Sequence, residues 1–251
     1  MDHTRREIMK AGMALAAVSV IFPAKAQETA NSIEMEGGEL VIHPISHASL
    51  VLEAGDRTIY VDPVGEPSAY DGFPAPDLVL ITHEHGDHYD AETLRALVGE
   101  QTQMITNQAV YDMLPEELRA IASQLANGES TESAGIGIDA IPAYNTTEDR
   151  LQYHPEGRDN GYVLSLSGVR VYIAGDTEDI PEMRALENID LAFVPMNLPY
   201  TMTVEQAASA VNEFTPGVVY PYHYQGSDVE QFKSLVEEGG GETEVRLAAW
   251  Y

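Results

Sequence analysis

The stretch that most limits what this chain can fold into is Leu78-Val79-Leu80-Ile81, followed at once by Thr82-His83-Glu84-His85-Gly86-Asp87-His88. The apolar run lies between Pro76-Asp77 and a glycine-containing turn, so it reads as a buried strand. Polar residues crowd the point where that strand gives way to a loop. Alternate residues of an extended segment point the same way, so His83 and His85 can converge on one point. Gly86 lets the backbone turn, and Asp87 and His88 can then aim at a second point nearby. Imidazole nitrogen and carboxylate oxygen are donors that suit zinc and its neighbours.

Two later strand ends repeat the device. Val171-Tyr172-Ile173-Ala174 leads into Gly175-Asp176-Thr177, and Val218-Val219-Tyr220 leads through Pro221-Tyr222 to His223. Each apolar strand thus delivers one potential ligand at its end. Asp62 closes another strand, Arg57 to Val61, just before Pro63.

The pattern His-x-His-x-Asp-His, followed in order by Gly-Asp-Thr and a late histidine, resembles the metal-binding signature of the metallo-β-lactamase superfamily. The resemblance runs from about Leu40 to the end of the sequence. It is nearest to the branch containing ascorbate-phosphate lactonase and N-acyl phosphatidylethanolamine phospholipase D. It implies an αββα sandwich and a hydrolase with one or two metal ions, zinc first, with manganese or iron as substitutes. It assigns His83 and His85 to one ion, Asp87, His88 and His223 to the other, and Asp176 between them. It further implies a metal-activated hydroxide held by Asp87, and it gives Asp62 the task of orienting a ligating histidine. His47 matches a histidine near the start of the lactonase-like branch, with a substrate or supporting role.

One family histidine is missing. Its region reads Ile141-Pro142-Ala143-Tyr144-Asn145-Thr146. Asn145 can supply an oxygen, His154 can come in from the loop Tyr153-His154-Pro155, or the first site can be open. Tyr144, like His47, is a candidate for binding substrate or protonating the leaving group. The gap also keeps a second reading alive, a metal-binding module of the same fold without turnover. A purely structural metal site fits less well, because such sites are closed and four-coordinate.

The element order agrees with an α/β chain. Strands come first as a run (39–43, 47–53, 57–61), and then helices (91–98, 107–113, 115–125) mix with short strands. The second half repeats that order, with strands within 127–142, at 161–166 and at 169–174, then helices at 181–186, 203–214 and 228–237 between the strands 190–194, 217–220 and 245–247. Two packed sheets with helices outside, forming one domain over residues 39–251, satisfy this order. Residues 27–38 read as loose.

Net charge narrows the partners. With 13 Lys+Arg against 41 Asp+Glu the chain carries −28. Such a field repels nucleic acid and anionic membranes. It disfavours a highly anionic substrate unless metal ions reverse it locally, so among a small-molecule lactone or ester, a phosphodiester and an amide it favours the neutral lactone or ester. There is no cysteine, so thiolate ligands, disulfides and a cysteine nucleophile are excluded. Arg5-Arg6, the apolar run 11–22 and Ala24-Lys25-Ala26 read as a twin-arginine type signal peptide over residues 1–26. A periplasmic or secreted bacterial protein, free of stable membrane association after cleavage, is the expectation. Oligomeric state leaves no mark in the sequence.

Overall fold

The structure, a computed structural model, describes residues 31–251. The expected signal peptide lies outside the described residues. Among the described residues fourteen strands form two seven-stranded sheets, and each sheet uses one contiguous stretch of sequence.

The first sheet runs in sequence order through β1 (Ser32–Met35), β2 (Gly38–Ser46), β3 (Ser49–Ala54), β4 (Arg57–Val61), β5 (Leu78–Ile81), β6 (Gln103–Thr106) and β7 (Ala122–Gln124). Pairing is antiparallel from β1 to β4 and parallel from β4 to β7. The second sheet repeats the plan with β8 (Ser130–Ser133), β9 (Ile136–Ala143), β10 (Asp159–Leu166), β11 (Val169–Ile173), β12 (Leu191–Pro195), β13 (Val218–Tyr222) and β14 (Glu244–Val245). Here β8 to β11 pair antiparallel and β11 to β14 parallel. Hairpins need only a turn, whereas parallel neighbours need a crossover. The helices accordingly sit in the second part of each half.

Those helices are α1 (Ala91–Leu97), α2 (Gln108–Met113), α3 (Glu116–Arg119), α4 (Pro181–Arg184), α5 (Val204–Phe214) and α6 (Val229–Glu238). Side chains at the predicted starts cap several of them. Asp90 accepts from the Glu92 amide, Asn107 from Val110 and Asp228 from Gln231, and Thr203 with Gln206 closes a capping box.

Three apolar layers result. The middle one joins the sheets, with Leu50, Leu52 and Leu80 meeting Leu164, Val171 and Phe193. A second layer packs α4, α5 and α6 on the outer face of the second sheet, through Met183, Val211 and Phe232. A third packs α1, α2 and α3 on the first sheet, through Leu94, Val110 and Leu118. The αββα sandwich expected from the resemblance is the observed architecture. No helix among the described residues is long and apolar enough to cross a membrane.

Two elements differ from the sequence reading. Residues 32–35 are not loose: they pair with β2 from Ser32↔Val41 to Met35↔Gly38, so the folded unit starts before residue 39. The helix expected over 115–125 stops at Arg119, and Ala122–Gln124 form an edge strand beside β6. Pairing with an exposed sheet edge overrides a weak helical period in so short a segment.

Every strand that supplies the site runs in the same direction. Asp62 follows β4, Thr82 follows β5, Ala174 follows β11 and His223 follows β13. The crevice outside the carboxyl ends of such strands is the place where open α/β sheets bind ligands.

Candidate metal centre

Six of the eight histidines of the chain meet in this crevice with two aspartates. Three overlapping sets of donor atoms lie within 4.8 Å of one another: His83, His85 and His154; His83, His88 and Asp176; and His47, Asp87, His88 and His223. His83, His88, His154 and His223 are buried, and Asp176 is nearly so, whereas the Asp87 side chain is half exposed. Asp176 sits centrally. One of its oxygens lies 3.2 Å from His223 Nε2 and 3.5 Å from His154 Nε2, and the other lies 3.3 Å from His88 Nε2.

The backbone is bent to bring these groups in. His47, Asp62 and His223 all adopt positive φ, at 51°, 43° and 45°. Non-glycine residues rarely do so, and such strain concentrates at functional sites. Gly175 has φ +66°, and a Cβ there would meet the Asn160 carbonyl oxygen at 2.8 Å and Thr82 Cβ at 3.2 Å. Glycine is required there for Asp176 to come this close to the opposite sheet.

Hydrogen bonds on the far side of each ring select its tautomer. His88 Nδ1 donates to Asp62 Oδ2 at 2.7 Å, and Asp62 is itself fixed by the amide and hydroxyl of Thr82 at 2.7 and 2.6 Å. Because the Thr82 hydroxyl donates to Asp62, its oxygen is free to accept from His83 Nδ1 at 3.0 Å. His154 Nδ1 donates to Asn145 Oδ1 at 2.9 Å. These bonds through Nδ1 turn the Nε2 atom of all three imidazoles toward the crevice, the orientation in which a histidine can bind a metal once that nitrogen is free of its proton.

Those crevice-facing atoms lack partners. His83 Nε2, His88 Nε2, His223 Nε2 and Asp176 Oδ1 are buried with no hydrogen bond among the described residues. His88 Nε2 and Asp176 Oδ1 approach each other without alignment for a bond. Each such atom costs about 1–3 kcal/mol if nothing meets it. Lone pairs of this kind converging on two points fit divalent cations with nitrogen and oxygen preference, and the donor set suits zinc, manganese or iron.

Burial and neighbouring charges divide the histidines of the cluster. Burial, reinforced by the neighbouring His88 ring, pushes His83 well below the usual histidine range. Burial likewise pushes His154 down to about 4. For His88 burial acts downward too, but the carboxylates of Asp176 and Asp62 outweigh it and raise the ring well above its ordinary value. Burial would raise Asp87 and Asp176, yet contacts with His223 and His47 hold Asp87 well down, and His223 and His88 do the same for Asp176.

A family model described as "Beta-lactamase superfamily domain" matches residues 41–223. A UPF0173 metal-dependent hydrolase of Pyrococcus abyssi is 32% identical over 207 residues, covering 76% of this chain and 90% of that protein. The chain belongs to the β-lactamase superfamily. Among solved structures, one described as a metal-dependent hydrolase from Parabacteroides distasonis shares 44% identity with TM-score 0.78, covering 86% of this chain and 96% of that one. The metallo-β-lactamase fold protein YhfI of Bacillus subtilis, at 17% identity and TM-score 0.65 over 87% of this chain and 94% of that one, shares the fold. Within the superfamily the chain stands with the metal-dependent hydrolases.

Two expected site residues are corrected. Asn145 has no oxygen to spare as a metal ligand: its Oδ1 accepts from both the amide and Nδ1 of His154, and its Nδ2 donates to Glu178 and to the Tyr200 carbonyl. Tyr144 turns away from the crevice, and its hydroxyl donates to Glu182 Oε2 at 3.0 Å. Both residues lie just past β9, where the hydrogen bonds of the following loop, to Glu182 for Tyr144 and to His154 for Asn145, set their directions.

His47 does reach the site. Its Nε2 lies 3.1 Å from Asp87 Oδ2, and its Nδ1 accepts from the Tyr251 hydroxyl at 2.7 Å. Tyr251 and Glu178 were not foreseen. Glu178 is fully buried behind Asn145 and also accepts from the hydroxyls of Thr146 and Thr147. Its position two residues past Asp176 was the only available signal. Tyr251 carries none, since nothing local in the sequence ties it to a strand end 204 residues away.

Proposed function

We propose that this superfamily member hydrolyses a small-molecule ester, lactone or phosphodiester with one or two metal ions. His83, His85 and His154 would hold one ion, His88, His223 and Asp87 the other, and Asp176 would reach both. The observation that carries this reading is the set of buried, unpartnered nitrogen and oxygen atoms facing one crevice. A bound divalent cation supplies Lewis acidity, polarising a carbonyl or phosphoryl oxygen and lowering the pKa of water from 15.7 toward about 7.

The chain's own groups then divide the remaining work. Asp87, half exposed at the cavity edge, accepts a hydrogen bond from the attacking water and orients it. His47 Nε2–H donates to Asp87 Oδ2 and fixes the carboxylate's direction. Asn145 and Asp62 hold the rings of His154 and His88 so that each Nε2 lone pair faces inward.

The rival reading, a binding module without turnover, drew its strength from the missing histidine. His154 weakens it, because its Nε2 comes within 3.2 Å of His85 Nδ1 and supplies a third donor beside His83 and His85. Export through a twin-arginine leader remains part of the proposal on the strength of Arg5-Arg6 and Ala24-Lys25-Ala26.

The test is metal analysis of the purified protein with assays on ester, lactone and phosphodiester panels. Turnover that a chelator removes, that added metal restores and that Asp87→Ala abolishes is expected. Bound metal with no turnover on any panel would make the module the better reading. Cell fractionation of the full chain, with Arg5 and Arg6 changed to Lys, tests export.

A further inference from the structure

The metal centre opens into a cavity of about 710 Å³, large enough for a drug-sized molecule. Tyr153 and Tyr200 form one wall, their rings in an edge-to-face pair 5.0 Å apart. Tyr251 also lines the cavity, backed by Tyr224 at 5.0 Å. Among the described residues no lysine or arginine lines this cavity, whereas Asp87 and Asp176 do.

The arginines around the centre are committed elsewhere. Arg158 forks onto Asp159 at 2.7 and 2.9 Å and reaches Glu84 at 2.8 Å. Arg150 donates to the Thr201 carbonyl at 2.8 Å and faces buried Glu178 at 3.2 Å. Releasing either would leave a buried carboxylate without its counter-charge, so neither is free to meet a ligand.

A side groove of about 370 Å³ continues from the cavity and shares Asn197 and Gln225 with it. Its apolar lining is Leu198, Met202 and Val204, with Glu205 beside them and no cationic side chain among the described residues. Six large hydrophobic residues are exposed among the described residues, and three of them, Leu198, Tyr200 and Tyr251, stand on this cavity and groove. Contiguous exposed apolar surface of this kind marks a binding site.

We propose, building on the hydrolase reading above, that the substrate is an uncharged ester or lactone with an aromatic or alkyl flank. The scissile carbonyl lies over the histidine and aspartate cluster. The flank lies against Tyr200 and Tyr251, and a longer chain extends along Leu198 and Met202. Beyond the groups assigned to the metal ions, an anionic end lying in the groove would find Leu198, Met202, Val204 and the Glu205 carboxylate, and no cationic side chain among the described residues. Removing its hydration would go uncompensated, which excludes substrates with a distal carboxylate or phosphate.

Matched substrates with one scissile bond test this directly. The metal-loaded protein is assayed with 4-nitrophenyl hexanoate and with the mono-4-nitrophenyl ester of adipic acid, which differs by a terminal carboxylate. The neutral ester should be preferred at least about tenfold in kcat/KM. In parallel, hexyl phenyl ketone, which cannot be hydrolysed, is titrated into the chelator-treated protein and followed by NMR. It should bind, and Tyr200→Ser should weaken binding about fivefold, the worth of one aromatic contact. Leu198→Ser, at a second exposed position, should weaken it in the same direction. Equal or better use of the charged ester, or a ketone that does not bind or ignores both substitutions, overturns the proposal. Ketone binding that responds to both variants, with no ester, lactone or diester turned over, would uphold the cavity assignment while sinking the hydrolase reading.

Discussion

Asn145 grips His154 twice. Its Oδ1 accepts from the His154 amide at 3.1 Å and from the ring Nδ1 at 2.9 Å, while the Asn145 amide in turn donates to the His154 carbonyl at 2.8 Å. The residue that stands where the superfamily histidine is expected thus positions another histidine nine residues on. Asn145→Ala should free the ring and cut metal affinity of the first site about 10- to 100-fold, the usual cost of losing the partner that orients a ligating histidine. Asn145→Asp keeps an oxygen acceptor and should recover part of that loss. Metal titration of both variants checks this, and equal affinities for Asn145→Ala and the parent would refute it.

Asp62 is the equivalent support on the other side. It is fully buried, and it takes the His88 ring, the Thr82 amide and the Thr82 hydroxyl. Asp62→Ala leaves three buried donors unpaired. We expect a loss of about 3–5 kcal/mol in unfolding free energy, the range for breaking a buried charged pair. Urea denaturation of the metal-free protein measures this without interference from metal occupancy.

Gly175→Ala is the sharpest test of the backbone. The new methyl would press on the Asn160 carbonyl at 2.8 Å from a residue held at φ +66°. Either the strand end shifts or the variant unfolds more readily, because L side chains disfavour that conformation. A drop in melting temperature with lowered metal binding is expected. An unchanged melting temperature would mean that the close approach between the sheets relaxes at no cost.

Much of the site is legible in residue order. His83 to His88, Asp176 and His223 each follow an apolar run, and a strand end is a local feature that residue order reveals. The relay partners were less visible. Asn145 and His154 were both candidates, yet only the loop geometry decides which donates a lone pair and which accepts a proton. The direction of Tyr144 is not legible in residue order, because it lies just past β9, whose last pair is Ala143 with Asp159, and its hydroxyl goes to Glu182. Tyr251 was beyond reach altogether, since its hydrogen bond to His47 spans the whole folded length. Edge strand β7 went unseen for a related reason: three residues form a strand only because β6 offers them an open edge.

Acid should weaken the metal-free fold in a window set by His154. Burial pushes its ring down to about 4, against about 6.5 in an unfolded chain. Between those values the unfolded state takes up a proton that the folded state refuses, so stability falls as pH falls. His83, also pushed down by burial, adds to the same slope. His88 is raised instead and is protonated in both states across this window, so it contributes no slope there. Asp87 and Asp176 are held below the ordinary carboxylate range and begin to matter only near pH 4 and under. One pKa unit corresponds to 1.36 kcal/mol, so His154 alone should account for roughly 3 kcal/mol of lost stability between pH 7 and 4. Urea midpoints with chelator present, compared for the parent and His154→Ala, isolate that share, because the substitution's own packing cost is common to every pH. The variant's stability should decline less steeply on acidification, and parallel curves would show that the His154 ring titrates freely in the folded state.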